Sequence, residues 1–443
     1  MVLAQEGVLR PHRSGSALLG TCLVWIYVVT GLLGKSQLPG YGYNTWRIYI
    51  AVSTVVIGGL LIYCISARGA VRWNISGANS PHVTWLGLFI IWGFVVSAMQ
   101  EYPLDNLIYF ATLASMFVVS MMLPNSVPLL RDPARLLNLV VLVTMPWVCL
   151  SLVEYFVGGP GALESEGRLR GCFLNCIILG GIAGMNCLLL VWLLIVSPRY
   201  RCLRVILLGI SWATLVLTKC RGQNVTIALG MGVMIILSRR SGNKLFVVLC
   251  ATVAGVALYG GLFRLGVISD EKIADVREFF RVPEGEIEDT LEIRYDSYWS
   301  KGVADITSMR LIGQGPLARF GGGGQGFEKS NYDISLNRHS QPLLIAQGYG
   351  IPGLLFWMAF ILSAAHAAVT RRDSLAILAA GLFSSLLVMS VFSESLVSFG
   401  TPVDRLKWLV LGLVSAPPRQ ISARLSVIGI PTWGARQMAG EEI

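Results

Sequence analysis

Charge is scarce in this sequence. Asp, Glu, Lys and Arg together make up 14% of its 443 residues, against about 25% in soluble domains, and that excludes an ordinary soluble enzyme. Histidine is scarcer still, with four residues. No Asp-x-Asp pair and no His/carboxylate cluster falls where a water-facing catalytic metal would sit, so the expectation is no metal and no cofactor. Cysteine is present nine times, an odd number, and the long polar segment contains none. Cys22, Cys64, Cys149, Cys187 and Cys250 lie inside apolar runs, where cysteine behaves as a small hydrophobe. Cys172 and Cys176 sit four apart near a helix start with no partner pair at ligand spacing, and they read as structural rather than metal-binding.

What fills the chain instead is apolar: 54% of residues are hydrophobic, in runs close to the roughly 20 residues a helix needs to cross the hydrocarbon core. The pattern predicts spans near 16–34, 46–66, 82–100, 106–123, 135–157, 173–197, 203–218, 223–238, 244–263, 341–369, 374–393 and 402–416. The fold class is therefore all-α: a polytopic membrane protein with about 12 transmembrane helices and one large loop between helices 9 and 10. Arg10 and Arg13 precede a first run from Ala17 to Leu33 that no small-residue cleavage pattern ends, so it reads as a retained span.

The net charge of +10 would suggest nucleic acid in a soluble protein, but here the basic residues cluster in short connections and set orientation. One alternate set holds 17 of them (Arg10, Arg13, Arg68, Arg72, Arg131, Arg135, Arg199, Arg201, Arg204, Arg239, Arg240, Lys244, Arg371, Arg372, Arg419, Arg424, Arg436). The other holds 8 (Lys35, Arg47, Arg168, Arg170, Lys219, Arg221, Arg405, Lys407). The positive-inside rule then puts both termini in the cytoplasm and the long loop outside. The chain divides into helices 1–9 over residues 1–263, the outward loop over 264–340, helices 10–12 over 341–416 and a cytoplasmic tail over 417–443.

Within the spans, Pro146 is expected to interrupt the fifth. Gly180, Gly181 and Gly184 thin the sixth for close helix approach, and Asn186 and Asn224 place amides at membrane depth. The outward loop has an acidic half from Asp270 to Asp296, suggesting surface helices, and a glycine-rich half from Leu311 to Ser340, expected to be flexible enough to move over a ligand.

The chemistry is expected at the outward face. Lys219 and Arg221, in Thr218-Lys219-Cys220-Arg221-Gly222, either snorkel to lipid headgroups or grip a phosphate. Arg168 and Arg170 add cations at the same surface. Arg294, in Arg294-Tyr295-Asp296-Ser297-Tyr298-Trp299, either pairs with a neighbouring acid or binds an anion. His339 follows Arg338 where the loop re-enters the membrane. It is either structural or, with cations depressing its pKa below about 6.5, a neutral imidazole able to take a proton. His82 and His366 fall near the cytoplasmic side.

Several of these segments resemble the O-antigen ligase and polymerase superfamily. The resemblance rests on Arg294 with Trp299, on Leu311-Ile312-Gly313-Gln314-Gly315-Pro316, and on His339-Ser340-Gln341-Pro342-Leu343 before Gly348, Gly350 and Gly353. Lys219-Cys220-Arg221-Gly222 is similar to that family's Ser-Arg-Gly segment, and Arg170-Gly171-Cys172-Phe173-Leu174-Asn175 to its Gly-x-Phe-x-Asn segment. The chain departs from the pattern at Ser340, where the family often has Asn, and at Cys220, where it has Ser.

The resemblance implies a glycosyltransferase in the bacterial inner membrane with its site facing the periplasm. Its donor would be a polysaccharide on undecaprenyl diphosphate and its acceptor the lipid A-core oligosaccharide, with membrane lipid the only other partner. His339 would activate the attacking hydroxyl. Arg221, Arg294, Arg170, Arg338 and Lys219 would hold the departing diphosphate, with no metal, and the anomeric centre would invert. An O-antigen polymerase is the alternative within the superfamily. A lipid or solute transporter is the alternative outside it, although transporters concentrate paired charges near the bilayer midplane.

Overall fold

The computed structural model describes residues 22, 25–29, 32, 55–60, 62, 81–126, 133–158, 162–163, 168–173, 175–197, 199–238, 300, 312–316, 340–370, 374–392 and 402–415. The expected span at 244–263, most of the 264–340 loop and the tail after 416 lie outside them. Among the described residues are nine helices: α1 (Pro81–Ala98), α2 (Pro103–Ser126), α3 (Pro133–Val157), α4 (Cys176–Val196), α5 (Arg201–Leu217), α6 (Arg221–Leu237), α7 (Gln341–Val369), α8 (Leu375–Phe392) and α9 (Pro402–Ser415). Residues 25–29 and 55–60 are helical as well. The described residues contain no strand, only an isolated antiparallel bridge between Leu163 and Leu169.

Local chemistry explains most of these boundaries. Pro81, Pro103, Pro133 and Pro402 open their helices, at the position where a missing N–H costs nothing and a fixed φ is already helical. Asn175 caps α4, its Oδ1 accepting from the Ile178 N–H at 3.0 Å. Pro146, by contrast, does not interrupt its helix. The α3 helix runs through it from Pro133 to Val157, because one lost backbone bond is tolerated in a helix that packs against neighbours, here α4 and α5.

Five helices, α1, α2, α3, α4 and α7, are long and apolar enough to cross a bilayer, which makes this a membrane protein. The centre of the bundle is α4. Every residue from Ile178 to Leu194 is buried, and the helix packs against α3, α5, α6, α8 and α9. Since lipid is as apolar as leucine, helices in a bilayer associate through close packing rather than through hydrophobic burial, and the α4 glycines provide it as expected. A Cβ on Gly181 would sit 2.7 Å from Val403 of α9, and one on Gly184 would sit 2.7 Å from Ile227 of α6. Across α1, α2, α7 and α9 runs an aromatic seam in which Phe117 stacks on Trp408 at 4.2 Å and Phe360 stacks on the same indole at 5.6 Å.

These contacts fix direction. Arg204 at the start of α5 reaches the end of α4, and Trp192 near the end of α4 donates to Ser374 O before α8. Val403 at the start of α9 meets Gly181 near the start of α4, while Gly412 later in α9 meets Ser120 late in α2. Thus α2, α4, α6 and α9 all begin at one end of the bundle. The described residues of the connections 99–102, 158–175 and 218–220 gather there.

Candidate anion site where four helices begin

The site grows from two connections stitched together by backbone. After α3, Gly158 turns the chain with a positive φ of 73°, and residues 169–171 return to residues 162–163. Arg170 N–H and Gly171 N–H both donate to Ala162 O at 3.0 Å. Gly171 has φ 54°, and an added Cβ would lie 2.2 Å from the Ser151 Cβ, so only glycine fits. Leu169 and Phe173 are fully buried, Phe173 lying 6.0 Å from the Trp147 ring. These anchors leave Arg168 and Arg170 half-buried at the rim.

The second connection is the three-residue turn between α5 and α6. Lys219 adopts the left-handed conformation at φ 51°, and its N–H donates to Val216 O at 2.9 Å. The two connections then meet. Leu169 N–H donates to Leu217 O at 3.0 Å, Gln223 Nε2 donates to Ile177 O at 2.9 Å, and Cys220 Sγ lies 3.5 Å from Cys176 Sγ. Arg170, Lys219 and the backbone of Arg221, which opens α6, therefore belong to one hydrogen-bonded unit.

The electrostatics of this end are lopsided. The negative C-terminal end of α5 is consumed. Thr214 O and Val216 O take backbone N–H groups, Leu217 O takes that of Leu169, and Leu215 O accepts from Thr218 Oγ1 at 2.6 Å and Asn224 Nδ2 at 3.3 Å. The starts of α4 and α6 lie side by side with their positive ends facing the same way, and Cys220 supplies no side-chain cap to α6. Cations and helix N-termini of this kind favour an anion. Among the described residues, Glu154 is a carboxylate close enough to act on this segment. With burial as the larger cause, it pushes the Cys172 thiol above its ordinary pKa.

Beneath the rim lies a small cavity between α4, α6, α8 and α9, bordered by Gly180, Gly181, Gln223, Ser385, Met389 and Lys407. Its volume is about 10 Å³, room for roughly one water. The Oε1 of Gln223, a residue 7% exposed, has no hydrogen-bond partner. Lys407 Nζ pairs with Asp404 at 3.5 Å. Next to that pair, Arg405 donates to Tyr27 O at 3.0 Å and lies over the Tyr27 ring at 5.3 Å.

Sequence reasoning placed Arg405 and Lys407 in a surface connection, and here the structure corrects it. Both are buried inside the first turns of α9. The signal that marks them is the Asp404/Lys407 spacing of three within an apolar helix, which lets two charges neutralise each other away from water. Arg204 was likewise read as a loop residue. It lies within α5 at 4% exposure, donating to Leu193 O, Ser197 O and Asn138 Oδ1. Asn186 is at membrane depth as expected, its Oδ1 accepting from Thr144 Oγ1 at 2.7 Å. Asn224 instead sits in the first turn of α6, bonded to Cys220 O.

The glycine segment 312–316 is pinned rather than free. Gln314 N–H and Gly315 N–H donate to Gln347 O and Gly348 O at 2.8 and 2.9 Å, and Gly313, Gly315 and Pro316 are buried. They dock just before Gly350, where φ 71° and ψ −175° break α7 into two helical pieces.

Arg294, Arg338 and His339 lie outside the described residues, as does the Arg221 side chain. Ser340, the neighbour of His339, is buried and begins α7 by accepting from Leu344 N–H at 3.0 Å. His82 starts α1, and His366 is exposed near the far end of α7.

No protein-family model matches the chain and no curated protein is significantly similar to it, so the functional reading rests on the residues of this site.

Proposed function

We propose that this protein is a membrane glycosyltransferase of the O-antigen ligase kind, moving a polysaccharide from undecaprenyl diphosphate to the lipid A-core oligosaccharide on the periplasmic side of the bacterial inner membrane. One observation carries the reading: the Arg170 segment and the Lys219–Arg221 turn are bonded into one unit at the paired starts of α4 and α6. Such a unit suits the negative charge that a polyprenyl diphosphate brings to a membrane surface and develops further as it leaves.

In this reading His339 takes the proton from the acceptor hydroxyl. The hydroxyl oxygen attacks the anomeric carbon of the sugar joined to the donor's diphosphate, from the face opposite that diphosphate, the bond from that carbon to the diphosphate oxygen breaks, and the configuration inverts. Arg170, Lys219, Arg221, Arg294 and Arg338 hold the departing diphosphate. Twelve spans, with both termini in the cytoplasm and the 264–340 loop in the periplasm, complete the proposal. The described helices agree with that alternation, since Arg168, Arg170 and Lys219 lie at one end while Arg135, Arg199, Arg201 and Arg204 lie at the other.

The test is reconstitution. Purified protein in nanodiscs, given undecaprenyl-diphosphate-linked polysaccharide and rough lipopolysaccharide, is expected to yield capped lipopolysaccharide. Elongation of the lipid-linked glycan instead would make the protein a polymerase. Transfer to neither acceptor would remove the transferase reading.

A further inference from the structure

Two thiols meet at the joint between the site's two connections. Cys176 is the first residue of α4 and 1% exposed. Cys220 stands immediately before α6 and is half-buried. Their sulfurs lie 3.5 Å apart although the residues are 44 positions apart in the chain. A disulfide bond is about 2.05 Å long, so closing the gap asks for a short approach of two side chains. The neighbourhood holds them in register: Gln223 Nε2 bonds Ile177 O at 2.9 Å, one residue beyond Cys176, and Gly180 leaves Gln223 room to approach. Cys172, four residues before Cys176, is engaged elsewhere, since its Sγ faces Ser151 Oγ at 3.3 Å and Trp147 O at 3.9 Å.

We propose that Cys176 and Cys220 form a disulfide in the mature protein, stapling the start of α4 to the start of α6. The proposal rests on the periplasmic orientation adopted above and not on the transferase activity. Oxidising compartments form and keep such bonds. The oxidant is a protein dithiol–disulfide exchanger. The more accessible Cys220 thiolate attacks the donor's disulfide to give a mixed disulfide and release one donor thiolate. The Cys176 thiolate then displaces the second donor sulfur. Two thiols have lost two protons and two electrons, and the donor leaves as a dithiol. The staple holds Arg170 and Lys219 in one frame whether or not an anion is bound, and Cys172 is left as a thiol.

The experiment is alkylation and peptide mapping of the whole protein purified from its native membrane, with and without reductant. Without reductant the Cys176 and Cys220 peptides are expected to be joined, lighter by two hydrogens than the separate thiols, while Cys172 is alkylated. Reductant is expected to lower the melting temperature of the wild type and to leave that of a C176S/C220S variant unchanged. A cysteine introduced at Gly322 reports orientation separately. Labelling there by an impermeant maleimide on intact cells, together with full alkylation of Cys176 and Cys220 in unreduced protein, would overturn the disulfide and keep the orientation. Labelling only after lysis would overturn both. A Cys172–Cys176 bond in the map would also overturn the assignment.

Discussion

Gln223 reaches across from the first turn of α6 and donates to the carbonyl of Ile177 in the first turn of α4, at 2.9 Å. It passes through the space left by Gly180, where an added Cβ would stand 2.2 Å from Gln223 Oε1 and 3.0 Å from Thr218 Oγ1. The juxtaposition of the two helix starts therefore depends on a missing side chain.

Gly180→Leu is accordingly expected to destabilise the protein by the roughly 1–3 kcal/mol typical of overpacking, as a lowered melting temperature in detergent. Gly181→Val, forced against Val403, should do the same. Gly222→Ala is the control, because nothing lies within 4 Å of a Cβ there. Equal melting temperatures for Gly180→Leu and Gly222→Ala would mean that α4 and α6 do not touch where described.

Burial and the nearby Glu154 carboxylate raise the pKa of the Cys172 thiol, opposed by its hydrogen bond to Ser151. The thiolate is the reactive form. Raising the pKa therefore removes it at neutral pH, and alkylation of Cys172 should be slow there, accelerating only at a pH above that needed by an unfolded peptide of the same sequence. Time-resolved labelling across pH 7–10 measures this. A Cys172 rate matching the peptide's at each pH would contradict the burial described for it.

Replacing Arg170, Arg221 or Arg294 with Ala should each cost transfer at least about 1.5–3 kcal/mol of charge-assisted hydrogen bonding, a loss of about tenfold or more. Lys should restore part of it, lacking the planar fork that matches phosphate. EDTA should leave wild-type transfer unchanged. Loss of activity in EDTA with recovery on adding a divalent cation would assign the charge neutralisation to a metal.

His339→Ala should retain binding of the lipid-linked donor, because the cations hold the diphosphate, while transfer falls by roughly the 10²–10⁴ of a lost general base. His366→Ala, exposed near the far end of α7, should be silent. Binding and turnover are to be measured on one preparation. Near-normal transfer by the His339 variant would make that histidine structural and send the search for a base elsewhere.

Helix positions were legible because apolar runs and helix-opening prolines are local signals. The expected span at 341–369 coincides with α7, and 375–392 lies within one residue of expectation at each end. The α4 glycines were legible for a related reason, since small residues on an apolar helix have few other uses. What stayed hidden was tertiary. A positive-inside count treats Arg405 and Lys407 as loop charges and has no term for a cation whose partner, Asp404 or the Tyr27 carbonyl, travels into the protein with it. Cys220 looked like a replacement within a turn until Cys176 was found beside it. Composition made 311–340 look loose, yet at 312–316 backbone N–H groups are matched to the carbonyls of 347 and 348.

The clasp between Arg405 and Tyr27 joins residues 378 positions apart, and it bears on biosynthesis. Tyr27 belongs to the earliest of the described helical stretches, and its ring and carbonyl have to wait in the membrane until the last described helix is made. Until α9 arrives, the Trp408 slot between Phe117 and Phe360 also stands open. A chain halted before residue 402 would carry every cation of the rim and still lack the helix that closes the bundle.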